Sequence, residues 1–438
     1  MINEKCIVRS GSLRDIPDLF GRLWDTGVPL VVADRNTWDA AGAKVLALLI
    51  EHGKPMARSF IFPDIDEVYA DDVHVDQLRR VLVDNDLIAV AVGSGTINDI
   101  AKRASFECSK EYLVVPTAPS VDGFTASGAA ITVQGFKTTL ACPPPTAVVA
   151  DTDVLRGAPY SMLCSGFGDL AAKKTGGADW IVADQLGIEP IAPPVWEMVQ
   201  QALDRCLSQT YEIAQRDPTA IEGLFSGLAQ TGYAIQRYGD SRPASGSEHL
   251  LSHVWEMRHL QMKGHTPSHG FKVAVGTLVM TAFMTEMILL DRTEVAEAIS
   301  ARRPLAWHEH LQELERVLPE GSIRAPFVEA AKSKFLVGAP LQARQQDILD
   351  NWKSLQERIK AQLIPFDRLK GMVSQVGCPF EPSQIGLSKA DLLQSIHLAQ
   401  SIRKRYTSLD LAFECGLLDG LADKVVEPET YFSSFSMV

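Results

Sequence analysis

Ten histidines stand in this chain of 438 residues, and five of them fall between His249 and His269. The stretch opens Ser245-Gly246-Ser247-Glu248-His249-Leu250-Leu251-Ser252-His253 and closes Gly264-His265-Thr266-Pro267-Ser268-His269-Gly270. His249 and His253 are four residues apart, so on a helix they share a face, as do Glu248 and Ser252. Upstream, Gly166-Phe167-Gly168-Asp169 puts a carboxylate at the expected start of another helix. Imidazoles and a carboxylate from separate helices can hold a divalent metal and leave positions open for substrate, as catalytic sites do. A plainer account stands beside this one: exposed or core-bonded histidines, with Asp169 as a helix cap. His259 reads as structural or exposed.

A second constellation lies at 87–128. Leu87 to Val92 is a continuous apolar run, the pattern of a parallel strand covered on both faces. Gly93 and Gly95 punctuate it, and helical spacing begins at Ile97, with Asn98 and Asp99 in the opening turn. Glycines let backbone N–H groups approach a ligand, and a helix N-terminus carries positive partial charge, which together suit a pyrophosphate. By itself the turn is neither GxGxxG nor a Walker loop, and an isolated glycine pair is an ordinary strand-to-helix turn. The next loop changes that reading. Pro116-Thr117-Ala118-Pro119-Ser120-Val121-Asp122-Gly123 follows another apolar run and is hydroxyl-rich, rigid and acidic. Ligands of open α/β sheets sit at carboxyl ends of strands, so two such loops in succession describe one cleft.

Around these loops the N-terminal segment alternates strand and helix. Val28 to Ala33 reads as a strand ending at Asp34, which could hold a ribose diol and repel the extra phosphate of NADP, or could cap a helix. Helices are expected at 39–50 and 73–84, with a strand near Phe60 to Phe62 and an acidic loop after it. A hairpin is expected at 129–142 and a strand at 147–150. The rhythm predicts a parallel sheet with right-handed crossovers. From about Asp153 helical periodicity takes over. This gives a Rossmann-like α/β domain over 1–155 and an all-α domain over 156–438.

The net charge of −12 argues against a nucleic-acid partner. Seven cysteines, odd in number and without CxxC, read as reduced thiols of a cytoplasmic protein. Val273 to Leu290 is apolar but holds several threonines and Glu286, and is expected as a buried helix instead of a membrane span.

GSGTIND (93–99), PTAPSVDG (116–123), GFGD (166–169), SGSEHLLSH (245–253) and His269-Gly270, in this order and spacing, resemble the glycerol-1-phosphate dehydrogenases, particularly the longer bacterial type. That group sits in the superfamily of iron-type alcohol dehydrogenase, glycerol dehydrogenase and dehydroquinate synthase. The resemblance implies the dehydroquinate synthase-like fold and reduction of dihydroxyacetone phosphate by a nicotinamide cofactor. It places metal ligands at Asp169, His249 and His269, for Zn²⁺, Ni²⁺ or Fe²⁺. It places substrate contacts at His253 and Asp122, the candidate catalytic pair, beside Asp169. Cofactor contacts fall at Gly95, Thr96, Ile97, Asn98, Asp99, Thr117, Ser120 and Ser127, with Asp34 favouring NAD(H) over NADP(H). Ser94 stands where relatives often have glycine, and Ala126 where a serine usually touches the cofactor. For the substrate phosphate the nearby cations are Arg258, Lys263, Lys272 and Lys137. A homodimer is expected. Three alternatives accompany this reading: a polyol dehydrogenase on an unphosphorylated substrate, a dehydroquinate synthase-like cyclase, and a catalytically silent nucleotide-binding protein.

Overall fold

The computed structural model describes residues 5–63, 68–83, 86–133, 136–201, 203–318, 324–427 and 430–435. The acidic loop expected after Phe62 lies largely outside them.

Six parallel strands form the main sheet: β1 (Cys6–Arg9), β2 (Val28–Ala33), β3 (Arg58–Ile61), β4 (Leu87–Gly93), β5 (Tyr112–Pro116) and, after the hairpin strands β6 (Ala129–Val133) and β7 (Phe136–Leu140), β8 (Ala147–Asp151). Their order is β1-β8-β5-β4-β2-β3. The central strands are apolar on both faces because helices cover both. Leu13, Phe20, Val45 and Leu49, from the segment with α1 (Ile16–Leu23) and from α2 (Ala43–Glu51), pack onto Val31, Val90, Leu113 and Val149. Helices α3 (Asp72–Leu82) and α4 (Gly95–Glu107) follow in chain order. The strand β1 escaped the sequence reading. Its four residues sit at the edge of the sheet beside β8, too short to show a pattern.

Beyond β8 the chain is helical: α5 (Tyr160–Ala171), α6 (Lys173–Gln185), α7 (Pro218–Tyr238), α8 (Ser247–Met257), α9 (His269–Leu289), α10 (Trp307–Val317), α11 (Gly338–Gln362), α12 (Lys389–Ser401) and α13 (Ser408–Cys415) are the helices used below. Two compact units emerge, but not by one cut near 155: Met1–Leu170 joins with Gln201–Gly239, and Ala171–Gln200 with Asp240–Val438. The reason lies in α7, which returns to the first unit. Thr125 Oγ1 donates to Ala229 O at 2.7 Å, and Gln236 donates to Thr125 O.

In the second unit α9 is apolar on all sides, with a mean hydropathy of 1.5 over a window that is 78% buried. By length and composition it could cross a membrane; its burial is that of a core helix.

Candidate functional site

In the first unit the register puts Gly93 beside Pro116, so the loops after β4 and β5 leave the sheet side by side. Thr117 N–H donates to Gly93 O at 3.0 Å. Helix α4 begins at Gly95, two residues earlier than the apolar spacing indicates, and its cap residue Ser94 makes no side-chain capping bond. The N–H groups of Gly95, Thr96 and Ile97 therefore have no intrahelical acceptor, and none from the Ser94 side chain, among the described residues. A Cβ at Gly93 would lie 2.4 Å from the Ile97 Cβ, so the turn closes only around a bare backbone.

The floor of the second loop is held by a buried cation. Lys102 Nζ donates to Gly123 O, Ala126 O and Gly128 O, each at 2.9 Å. Asn98 is wholly buried; it donates to Gly123 O at 3.2 Å and accepts from the Tyr112 hydroxyl at 3.0 Å. Asp99 accepts from Ala130 N–H at 3.2 Å. The side chains of Asn98 and Asp99 thus brace the loop and hairpin. Thr117 and Ser120 are buried and Ser127 half-buried. Asp34 is a helix N-cap: its Oδ1 accepts from Thr37 N–H at 2.7 Å, while Thr37 Oγ1 accepts from Asp34 N–H at 3.1 Å.

Asp169 does not start a helix, nor does it cap one. It lies in the last turn of α5, which begins nine residues earlier, and it is fully buried. Asp122 N–H donates to Asp169 Oδ2 at 2.9 Å, which joins the two predicted acids through the backbone of one. Gly166 allows this: a Cβ there would stand 1.7 Å from Pro119 O, so only glycine lets α5 press against the loop.

The second unit carries the histidines. Asp179, buried, accepts from Ser247 N–H at 2.6 Å and Ser408 N–H at 2.7 Å, capping α8 and α13 at once. Burial, and then Glu248 nearby, push its carboxyl above the usual range. Glu248 Oε1 meets His249 Nδ1 at 2.7 Å. The His249 and His269 rings stand 5.4 Å apart. His253 Nδ1 lies 3.4 Å from Glu256, and the protein packed around the ring draws its pKa down to about 4 against the pull of that carboxylate. The ring is therefore neutral at pH 7.

One donor atom each from Asp169, His249 and His269 lies within 4.8 Å of the others. Two imidazole nitrogens and one carboxylate oxygen, mostly buried, fit a borderline divalent ion and leave coordination positions open. Of the expected phosphate cations, Lys272 is buried and bonds Glu256 at 2.9 Å. Arg258 is half-buried, Lys263 is exposed in a turn, and the Lys137 side chain is outside the described set. The sequence reading missed Arg403. It is exposed and makes no ion pair among the described residues; the protein around it and Arg405 lower its pKa against the pull of Asp240, and its charge disfavours protonation of His253. Arg405 Nη1 ties this segment to Ser245 O at 2.7 Å, just ahead of α8. No spacing signal marks Arg403, which is some 150 residues from the histidine run.

The iron-containing alcohol dehydrogenase family model matches residues 7–159. Among solved structures, a probable glycerol dehydrogenase from Sinorhizobium meliloti aligns with a TM-score of 0.59 at 16% identity, covering 95% of this chain and 97% of that one. Sulfoacetaldehyde reductase from Bifidobacterium kashiwanohense, solved with NAD+, aligns with a TM-score of 0.61 at 14% identity, covering 98% and 99%. These likenesses establish the fold. Sequence relatives go further. Glycerol-1-phosphate dehydrogenase [NAD(P)+] of Bacillus subtilis is 36% identical over 69% of this chain and 75% of its own length. The enzyme of that name from Geobacillus thermodenitrificans is 33% identical over 89% of this chain and 88% of its own. At that identity over nearly the full length of both, the chain belongs to the glycerol-1-phosphate dehydrogenase family.

Proposed function

We propose that the protein reduces dihydroxyacetone phosphate to sn-glycerol 1-phosphate, using a nicotinamide cofactor and one divalent metal. The observation that carries this is the convergence of Asp169, His249 and His269 donors within 4.8 Å in a chain of this family. When bound, the nicotinamide supplies the hydride and the metal a Lewis acid for the carbonyl. The α/β part binds the dinucleotide, and the helical part that follows it supplies the metal ligands and most of the substrate contacts.

The residues then have separate tasks. The first turn of α4, at Gly95, Thr96 and Ile97, receives the pyrophosphate with its N–H groups. Thr117, Ser120 and Ser127 line the nicotinamide end, and the second oxygen of Asp34 holds the ribose diol, which favours NADH. Asp169, His249 and His269 are the metal ligands. Asp122 orients the substrate's hydroxyl. His253, neutral at pH 7, relays a proton to the developing alkoxide through its N–H. Arg403 receives the phosphate, for which an exposed guanidinium with no ion pair among the described residues is suited. The native metal is Zn²⁺ or Ni²⁺, both compatible with these ligands.

The test is NADH oxidation by protein stripped of metal and then given Zn²⁺ or Ni²⁺. Metal-dependent oxidation with dihydroxyacetone phosphate, and glycerol 1-phosphate as product, is expected; activity on glycerol or dihydroxyacetone alone would move the reading to a polyol dehydrogenase. His249→Ala is expected to lose both metal and turnover. Full metal content with near-normal rate in that variant would overturn the ligand set.

A further inference from the structure

We propose that Glu248 and Glu256 are positioning residues that fix the ring orientation and tautomer of the two ligand histidines, so that Nε2 of each faces the metal. The inference rests on the ligand set proposed above and adds to it.

Successive residues of a helix do not ordinarily face one another. Glu248 nevertheless folds back over the first turn of α8, where its Oε1 accepts from Gly246 N–H at 2.7 Å and from His249 Nδ1 at 2.7 Å. The residue is wholly buried, and its Oε2 has no hydrogen-bond partner among the described residues. A carboxylate in that setting needs a strong reason to remain, since an apolar residue would avoid the desolvation cost. With Nδ1–H committed to Glu248, the nitrogen left with a lone pair is Nε2.

Two turns later Glu256 stands behind the other ligand histidine, at ion-pair distance. Its Oε1 lies 3.5 Å from His269 Nδ1 and 2.9 Å from Lys272 Nζ, and its Oε2 lies 3.4 Å from His253 Nδ1. Lys272 offsets its charge. One helix therefore supplies a ligand, the carboxylate behind that ligand and the carboxylate behind the next. Helix α9 is locked to it at the same level, because Gly276 brings its backbone so near Glu248 O that a Cβ would stand 2.6 Å away. Such carboxylate–histidine pairs raise ligand basicity and remove the entropy of ring rotation.

Zn²⁺ titration calorimetry on the metal-free full-length protein tests this, with NADH affinity and melting temperature measured on the same samples. Glu248→Leu and Glu256→Leu are expected to weaken Zn²⁺ binding roughly 10–100-fold while NADH affinity is kept. Glu248→Gln, which can still accept from Nδ1–H, is expected to recover part of the loss. A pure capping role would lower the melting temperature and leave Zn²⁺ affinity alone. If Glu248→Leu does not fold, Glu248→Gln and Glu256→Leu decide. Affinity within twofold of the parent in both, with His249→Ala unable to bind, would overturn the positioning role and leave the ligand set standing. A parent protein that binds no Zn²⁺ or Ni²⁺ would overturn both.

Discussion

A carboxylate has two oxygens, and Asp34 shows why that matters for choosing a cofactor. Oδ1 is held by Thr37 N–H at 2.7 Å, which fixes the side chain at the carboxyl end of β2. The other oxygen is then aimed without further entropy loss. Asp34→Ala is expected to lower stability by about 1 kcal/mol through the lost cap. It is also expected to weaken NADH binding roughly tenfold, the worth of one charge-assisted hydrogen bond, with NADPH weakened less. Fluorescence titration with each dinucleotide measures both. Arg403 is the comparable residue for substrate. Arg403→Ala is expected to raise KM for dihydroxyacetone phosphate about tenfold or more, with smaller change in kcat, and to leave any rate on dihydroxyacetone unaltered. An unchanged KM would remove Arg403 from the site. Asp34 was legible in sequence because it ends an apolar strand. Arg403 was not, because a lone arginine in a polar segment looks like any solvated cation.

Elements hold these residues in place, and here one side chain carries a disproportionate share. Lys102 reaches from the middle of α4 to three carbonyls of the 123–128 loop and is itself almost fully buried. Gly123 O keeps its bond from Asn98, but removing the ammonium leaves Ala126 O and Gly128 O without this donor, at about 1–3 kcal/mol for each that cannot find water. Lys102→Met is expected to cost about 3 kcal/mol or more in urea unfolding and to raise KM for NADH. Loss of stability without a change in KM would mean that the loop keeps its shape without the staple. The same level shows how sequence reading succeeds and fails. Strands β2, β4, β5 and β8 announce themselves as apolar runs bounded by turn residues, and the hairpin by its alternation. The start of α5 does not, because Gly166 and Gly168 resemble turn punctuation while the helix runs straight through them. Gly166 is there for its missing Cβ, 1.7 Å from Pro119 O, and close approach leaves the same letter in a sequence as a turn does. The convergence of Asp169 with two histidines some eighty to a hundred residues later cannot be read from spacing at all; family resemblance supplied it. The return of α7 to the sheet unit follows from a tertiary bond, Thr125 to Ala229, that no periodicity encodes.

At the scale of the whole molecule, two buried groups, His310 and Glu414, respond to acidity in opposite senses. His310 of α10 stacks on Phe335 at 5.2 Å and lies 5.2 Å from Phe413 of α13; Glu414 follows in that helix and accepts from the Tyr406 hydroxyl at 2.6 Å. Burial first, then Arg302 and Lys334, bring the His310 pKa down to about 4. Burial first, opposed by Tyr406 and Arg344, brings Glu414 up to about 7. The signs oppose. Below pH 6.5 the unfolded chain protonates its histidine before the folded one does, so the His310 contribution is lost as pH falls from about 6.5 to about 4. For Glu414 the folded state holds its proton longer, so its contribution is present at low pH and is lost as pH rises from about 4.5 to about 7. Over the shared window these two slopes offset one another, so the slope left in the parent protein's melting temperature is that of its other titrating groups, His253 among them. Replacing one group exposes the other. His310→Phe keeps the ring stack and is expected to give a protein whose stability, relative to the parent, rises as pH falls through that window. Glu414→Gln keeps an acceptor for Tyr406 and is expected to give the reverse slope, each by about 1–3 kcal/mol across the window. Thermal melts of the three proteins from pH 4.5 to 7.5 measure this directly. Parallel profiles for parent and both variants would show that neither group titrates in the folded state over this range.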